Sequence, residues 1–299
     1  MSLTINTNLS SMIVKSNLNA ATSKLNTSIE RMTTGFKINH AGDNAAGYSI
    51  ATNWKTQLGS LDIAAENAST GKDMLITLED TYALITTHLQ RIRDLTEQAA
   101  NGTYGSDSLK AISSELTARF EEIDRITANS EFNGLDLMNG SIKKPVNLQV
   151  GLYSDVASQI TLSEKLFEKG NTTALFNAYG KKAKDSVEDI VKKCSGYDPA
   201  QPKYHIIGNQ AQMLEVIDNV IREVSNRTTT LGSAHNRVDS AVESISVQTE
   251  NITSSLSTIR DADIADESSS FVKAQILQQA SATLLATANQ TPSIALSLI

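Results

Sequence analysis

The sequence predicts a mainly α protein: a long antiparallel helical coiled-coil bundle formed by both chain ends, with a small central outer insertion between them. Three observations carry this. Prolines occur only at Pro145, Pro199, Pro202 and Pro292, so residues 1–144 and 203–291 lack the residue that breaks helices. Apolar residues in both flanks recur every seven positions, which marks a coiled-coil seam. Both termini are charge-poor amphipathic segments joined to those seams by polar linkers.

Taken in order, Leu18, Ala21, Leu25, Ile29 and Met32 are spaced for one face of a first helix that stops near Gly35. The loop TTGFKINHAGDNAAG follows, in which Asp43 or Asn44 can cap the next helix. That helix carries Trp54, Leu61, Ala68, Leu75, Tyr82 and Leu89 at heptad spacing, with Leu78, Ile85 and Ile92 at the alternate seam positions. At 1.5 Å per residue, residues 44–100 predict a rod of roughly 85 Å. The stretch NGTYGSDS ends it, and Leu109, Ile112, Leu116, Ile123 and Ile126 mark a returning helix. The middle holds three of the four prolines, the alternating segment PVNLQVGLY and a Lys-rich patch from Lys165 to Lys203. Ile217, Val224, Leu231, Val238, Ile245, Ile252 and Ile259 then form a second unbroken heptad stripe, widened by Val220, Ile221, Val242 and Leu256. After the linker RDADIADESSSF, the chain closes on AQILQQASATLLATANQTPSIALSLI, from Ala274 to Ile299, without a charged side chain.

Composition excludes several classes of function. A net charge of −7 argues against a nucleic-acid binder, which would present a basic face. One cysteine, Cys194, rules out an intrachain disulfide framework and reads as an incidental thiol. His40, His88, His205 and His235 lack metal-ligand spacing, and no P-loop, GxSxG or GxGxxG is present, so no catalytic residue, metal or cofactor is expected. The carboxylates around Glu121 and Asp124 read as a solvated or neighbour-pairing helix face. No run of about 18 apolar residues predicts a membrane span. The N-terminal segment lacks a basic and an apolar signal region, so export is expected to bypass a cleaved Sec signal.

The uncharged final helix is stable in water only when covered. The opposite terminus offers a matching surface, since residues 1–35 and 272–299 contain no aromatic side chain and permit close helix approach. Further copies of the chain offer more, and a repeated head-to-tail contact produces an open filament. The side chains expected to assemble are Leu18, Leu25, Ile29, Ile276, Leu277, Leu284, Leu285, Leu296 and Leu298.

These residues resemble bacterial flagellin over nearly the whole chain. The resemblance lies in INTNLSSM, in LNTSIERMTTGFKINHAGDNAAGYSIA, and in LQRIRDLTEQAANGT and EIDRITANSEFNG. At the other end it lies in LGSAHNRVDSAVE, RDADIADESSSFVKAQILQQA and the closing SIALSLI. It implies a filament subunit exported unfolded through the flagellar type III channel to the cell exterior. The implied zones are a terminal core over 1–43 plus 262–299, a rod with a β-hairpin over 44–163 plus 208–261, and an outer insertion over 164–207. The implied partners are further copies of itself, an export chaperone, the cap protein, hook-associated junction proteins and the innate immune receptor TLR5.

For that receptor, the matching positions are Gln90, Arg91, Arg93, Leu95 and Glu115. Two positions depart from the family pattern: Asp94 stands where Glu is usual, and Glu97 where an apolar residue often sits. Phe36 and Lys37 also replace the more usual Leu and Arg, and Lys loses the planar fork of Arg. Two other classes compete. A junction protein or coiled-coil signalling adaptor needs no matching adhesive termini. An enzyme needs a catalytic insertion, whereas residues 164–207 hold one cysteine and one histidine without ligand spacing.

Overall fold

The computed structural model describes residues 8–180 and 210–296. The described helices are α1 (Leu9–Thr34), α2 (Ala45–Ala100), α3 (Ser106–Ala128), α4 (Thr172–Gly180), α5 (Gln210–Arg260) and α6 (Ile264–Leu296). Two antiparallel hairpins lie between α3 and α4: β1 (Glu131–Phe132) with β2 (Leu135–Asp136), and β3 (Val146–Gln149) with β4 (Gln159–Leu162). This is the predicted mainly α fold, with its long terminal helices paired and its small β-hairpins. The chain divides into two compact units, one of residues 1–59 and 248–299, the other of residues 60–247.

In the first unit, α1 and α6 pair antiparallel. Asn8 begins α1 by accepting a hydrogen bond from the Ser11 amide, and Gly35 ends it in the left-handed conformation that glycine adopts without strain. The following loop is organised by its own side chains. The Asp43 carboxylate accepts from the amides of Asn39 and His40, which lowers its pKa, and Asn44 caps α2 through the Gly47 amide. Phe36 pairs with Asp261 as a short antiparallel bridge, and the Arg260 guanidinium lies 4.1 Å from the centre of the Phe36 ring. Asp263 accepts from the Ala265 and Asp266 amides to start α6.

The second unit is a helical bundle. On α2, Leu61, Ala68, Leu75, Leu78, Tyr82, Ile85, Leu89 and Ile92 are buried, and on α5 so are Ile217, Val220, Val224, Leu231, Val238 and Ile245. Val242, expected to widen the α5 seam, instead faces outward at 37% exposure. On α3, Leu116, Phe120, Ile123 and Thr127 are buried. Ion pairs tie the helices together: Lys72 to Asp239 at 2.7 Å, Arg93 to Asp218 at 2.7 Å, and Arg91 to Glu115 at 2.8 Å.

Each hairpin has a local cause. Asn133 and Gly134 both take positive φ (48° and 79°), the pairing that a tight two-residue turn requires. The longer hairpin pairs Val146 with Leu162 and Gln149 with Gln159, and the Asn67 amide on α2 donates to the Gln149 carbonyl. Its seat on α2 is Gly71, where an added Cβ would meet Leu148 Cδ1 at 2.4 Å. Gly71→Ala therefore sets a gain of ~1 kcal/mol in helix propensity against overpacking of about 1–3 kcal/mol. Because three atoms of the Leu148 head lie within 3.2 Å of that Cβ, overpacking wins. Faster hydrogen exchange at the β3 and β4 amides, with a lower melting midpoint, is the expected result. Unchanged exchange would show that Leu148 relaxes freely.

The structure corrects one expected boundary. Residues 164–176, expected in an outer insertion, supply side chains to the core of the second unit. Leu166, Phe167, Leu175 and Phe176 are all buried. Phe176 meets Phe120 edge-on at 5.4 Å. Asp124 accepts from both the amide and hydroxyl of Thr172 at 2.7–2.9 Å. Arg227, largely buried, pairs with Glu168 and Glu223 and donates to the Lys169 carbonyl. The physical reason is that two Leu-Phe pairs supply apolar side chains to the bundle where Tyr82, Phe120 and Arg227 receive them. Most of the Lys-rich patch, with Cys194 and His205, lies outside the described residues.

Candidate assembly and recognition surfaces

The α1–α6 pair is built around small residues. The less exposed positions on α1 include Ser11, Val14, Leu18, Ala21, Leu25 and Ser28, and those on α6 include Phe271, Ala274, Gln278, Ser281, Leu285 and Ala288. Both sets alternate steps of three and four, the a/d spacing of a coiled coil. The most buried members are Ala21, Ser28, Ala274 and Ser281. With so little side chain between them, Cα atoms of the two helices lie within 8 Å of one another along the pair. Polar contacts cross the pair. The Asn8 amide donates to the Ala288 carbonyl, the Ser11 hydroxyl to Asn289 and the Gln278 amide to the Thr22 hydroxyl, while Arg31 lies 3.8 Å from Glu267.

The consequence is an inverted amphipathic pattern. The most buried seam positions are small, the larger Leu18, Leu25, Phe271 and Leu285 are only half-buried, and Met12, Ile13, Ile29, Val272, Ile276, Leu277 and Leu284 point outward. Of the side chains expected to assemble, Leu18, Leu25 and Leu285 are half-buried in the seam. Ile29, Ile276, Leu277 and Leu284 lie outside it at 44%, 60%, 45% and 58% exposure. Leu298, and the side chain of Leu296, lie outside the described residues. The four small seam residues were missed because large apolar side chains were sought. Their own 3–4 alternation was the available signal.

On the second unit, the expected recognition residues divide. Arg91 and Glu115 come together: Arg91 Nε and Nη2 donate to the two Glu115 carboxylate oxygens at 2.8 and 3.1 Å, a planar bidentate pair joining α2 to α3. Arg119 adds a second cation to Glu115 at 3.5 Å. The Arg91 guanidinium thereby holds the Glu115 carboxyl below the ordinary range for glutamate, and Glu115 raises Arg91. Because the folded-state pKa of Glu115 is depressed, its pairing is fully present above the ordinary glutamate value. It is lost only as the pH falls through the lowered one. Arg93 points elsewhere, to Asp218 on α5 and to Glu97, so Glu97 is itself engaged by a cation. Gln90 and Asp94 are exposed. Leu95, named among the matching receptor positions, is 1% exposed and belongs to the bundle core, because the buried stripe on α2 is wide enough to include it.

Among the described residues, no helix is long and apolar enough to cross a membrane, and no group of three His, Cys, Asp or Glu side chains could hold a metal ion.

Comparison with known proteins follows the same division of the chain. The family model for the bacterial flagellin N-terminal helical region matches residues 5–143, and that for the C-terminal helical region matches residues 214–299. The chain is 36% identical to flagellin of Bacillus subtilis over 99% of both proteins. It is 29% identical to polar flagellin F of Vibrio parahaemolyticus over 100% of both. Its fold is also similar to the solved structure of a protein described as a flagellar hook-associated protein from Vibrio parahaemolyticus. That match has a TM-score of 0.61 and 14% identity, and covers 73% of this chain and 100% of the other.

Proposed function

Because this chain belongs to the bacterial flagellin family and is a structural subunit of the flagellar filament, a component outside the cell, we propose that its paired terminal helices are the polymerisation element. The observation that carries this reading is the inverted pattern of α1 and α6, with small residues in the seam and Ile276, Leu277 and Leu284 outward. A soluble helix pair that stood alone would bury its large side chains and expose its small ones. This pair buries Ala21, Ser28, Ala274 and Ser281 most deeply and leaves Met12, Ile13, Ile276 and Leu284 more than half exposed, which suits a surface covered by neighbouring copies. In this reading, residues 1–43 with 262–299 form the inner zone of the filament. Residues 164–176 join the bundle in this reading, supported by the buried Leu166, Phe167, Leu175 and Phe176. Export proceeds as an unfolded chain, with an export chaperone, the cap protein and hook-associated junction proteins as partners. Neither assembly nor recognition requires catalysis or a cofactor. Seeded growth followed by electron microscopy tests the assembly reading: filaments are expected, and protein that stays monomeric on seeds defeats it.

We further infer that the monomer is recognised by TLR5 through the α2–α3 face. The support is the preformed Arg91–Glu115 pair, flanked by the exposed Gln90. With Leu95 in the core, the contact is polar, made by the guanidinium edge and the neighbouring carboxylate. Arg91→Ala would leave Glu115 without its bidentate partner at a desolvated interface. The expected cost is about 1–3 kcal/mol, or roughly 5- to 150-fold in affinity. Direct binding of monomeric protein to the receptor ectodomain measures this, with Arg91→Ala and Glu97→Val beside wild type. Equal binding by wild type and Arg91→Ala would remove Arg91 from the interface.

A further inference from the structure

The terminal seam raises a problem of register. In the four polar pairs crossing it, 8 with 288, 11 with 289, 22 with 278 and 31 with 267, the residue numbers total 296, 300, 300 and 298. Positions whose numbers total about 299 are therefore level in this antiparallel pair. Ser28 comes level with Phe271, Leu25 with Ala274, Ala21 with Gln278 and Leu18 with Ser281. Each layer sets a larger side chain against a smaller one. Sliding α6 by one heptad, about 10 Å at 1.5 Å per residue, brings Leu25 level with Ser281 and Leu18 level with Ala288. That register also sets large against small, so packing opposes the slip weakly.

The polar pairs do not tolerate it. After the slip, Leu285 replaces Gln278 opposite Thr22, and Glu267 leaves Arg31. Arg31 is held for this role: its Nε is enclosed without a hydrogen-bond partner, and Glu267 is the carboxylate beside it. Buried polar groups that fix register at a cost in stability are a known use of polarity in coiled coils. We propose that the Thr22–Gln278 hydrogen bond and the Arg31–Glu267 ion pair determine the register of the terminal pair. They thereby set the axial height at which Ile276, Leu277 and Leu284 are presented to neighbouring copies. This rests on the assembly reading above.

The test uses full-length protein with Cys194→Ser and two new cysteines, polymerised on seeds and then oxidised. Leu25→Cys with Ala274→Cys reports the observed register, and Leu25→Cys with Ser281→Cys reports a one-heptad slip. In filaments of otherwise unchanged protein, the intramolecular 25–274 disulfide is expected to form at least tenfold faster than the 25–281 one. Adding Gln278→Leu and Arg31→Gln is expected to bring the two rates within about twofold. Filaments whose rate ratio is unmoved by those changes overturn the proposal while leaving assembly intact. Failure of wild-type protein to polymerise defeats the assembly reading and the proposal with it. If the pin variant does not polymerise, the charge exchange decides. Arg31→Glu alone should lose assembly and Arg31→Glu with Glu267→Arg should regain it; an exchange that restores nothing overturns the proposal.

Discussion

Phe167→Ala is expected to lower the stability of the second unit by about 3–5 kcal/mol, the range for deleting a fully buried aromatic ring. For a unit of this size, each kcal/mol moves the melting midpoint by roughly 2–4 °C, so the fall is about 6–20 °C. Phe167 is fully enclosed, and its neighbour Leu166 nearly so. The site is poorly able to collapse onto the cavity, because the segment is held at several points. Arg227 grips Glu168 and the Lys169 carbonyl, the Gly170 amide donates to the Met138 carbonyl, and Asp124 takes both donors of Thr172. Phe176→Ala should cost a similar amount, with the loss of its edge contact to Phe120. Replacing residues 166–204 by a Gly/Ser linker removes both rings and both leucines, and is expected to unfold the bundle rather than leave it intact. Circular dichroism melts of the two point variants measure the effect. Unchanged midpoints would mean that residues 164–176 are a separable outer insertion, as their surface-like composition suggested.

That composition shows where sequence reasoning stops. The long heptad stripes were legible because seven evenly spaced large apolar residues have one physical explanation. Leu166-Phe167 and Leu175-Phe176 were not legible, because each is a short apolar run, the first between Lys165 and Glu168 and the second between Ala174 and Asn177. Such pairs carry no period, and only the bundle end they fill explains them. Leu95 failed for a related reason. A two-stranded coil buries two columns of a helix, whereas α2 also buries Met74, Thr81 and Leu95, which lie on a third heptad column with the half-buried His88 between the last two. A wider stripe of this kind belongs to a helix packed in a bundle. At the termini, both helices were legible from their apolar spacing, but their inside and outside were not. Ala21, Ser28, Ala274 and Ser281 form the seam only because small side chains allow the backbones to approach. The Arg91–Glu115 pair was legible as a shared patch, since a short turn returns α3 beside α2. Its bidentate closure was not, because rotamers are decided by neighbours such as Arg119.

Removal of residues 275–299 is expected to abolish polymerisation while the second unit stays folded. None of those residues belongs to the unit spanning 60–247, so its melt should be preserved. The terminal pair, in contrast, loses Gln278, Ser281, Leu285 and Ala288 from the seam, and with them the hydrogen bonds to Asn8, Ser11 and Thr22. Met12, Ile13 and Ile29 on α1 then have no partner helix to hold them in position. The outward Ile276, Leu277 and Leu284 are lost outright. Burial of each such side chain contributes about 1.5–3 kcal/mol. Three of them at one contact therefore represent roughly 5–9 kcal/mol before ordering costs, which reduce the net value substantially. Even a net loss of about 4 kcal/mol raises the concentration needed for growth by roughly a thousandfold. Sedimentation after seeding reads this directly: the truncated chain should remain in the supernatant at concentrations where the full chain pellets. Filaments forming at the usual concentration from the truncated chain would place the polymerisation contacts on the bundle instead of the terminal helices. A truncated chain whose bundle melt also collapsed would show that the two units are not independently stable, and the Ile276→Ser/Leu277→Ser/Leu284→Ser variant, which keeps α6 and its seam, would then carry the test.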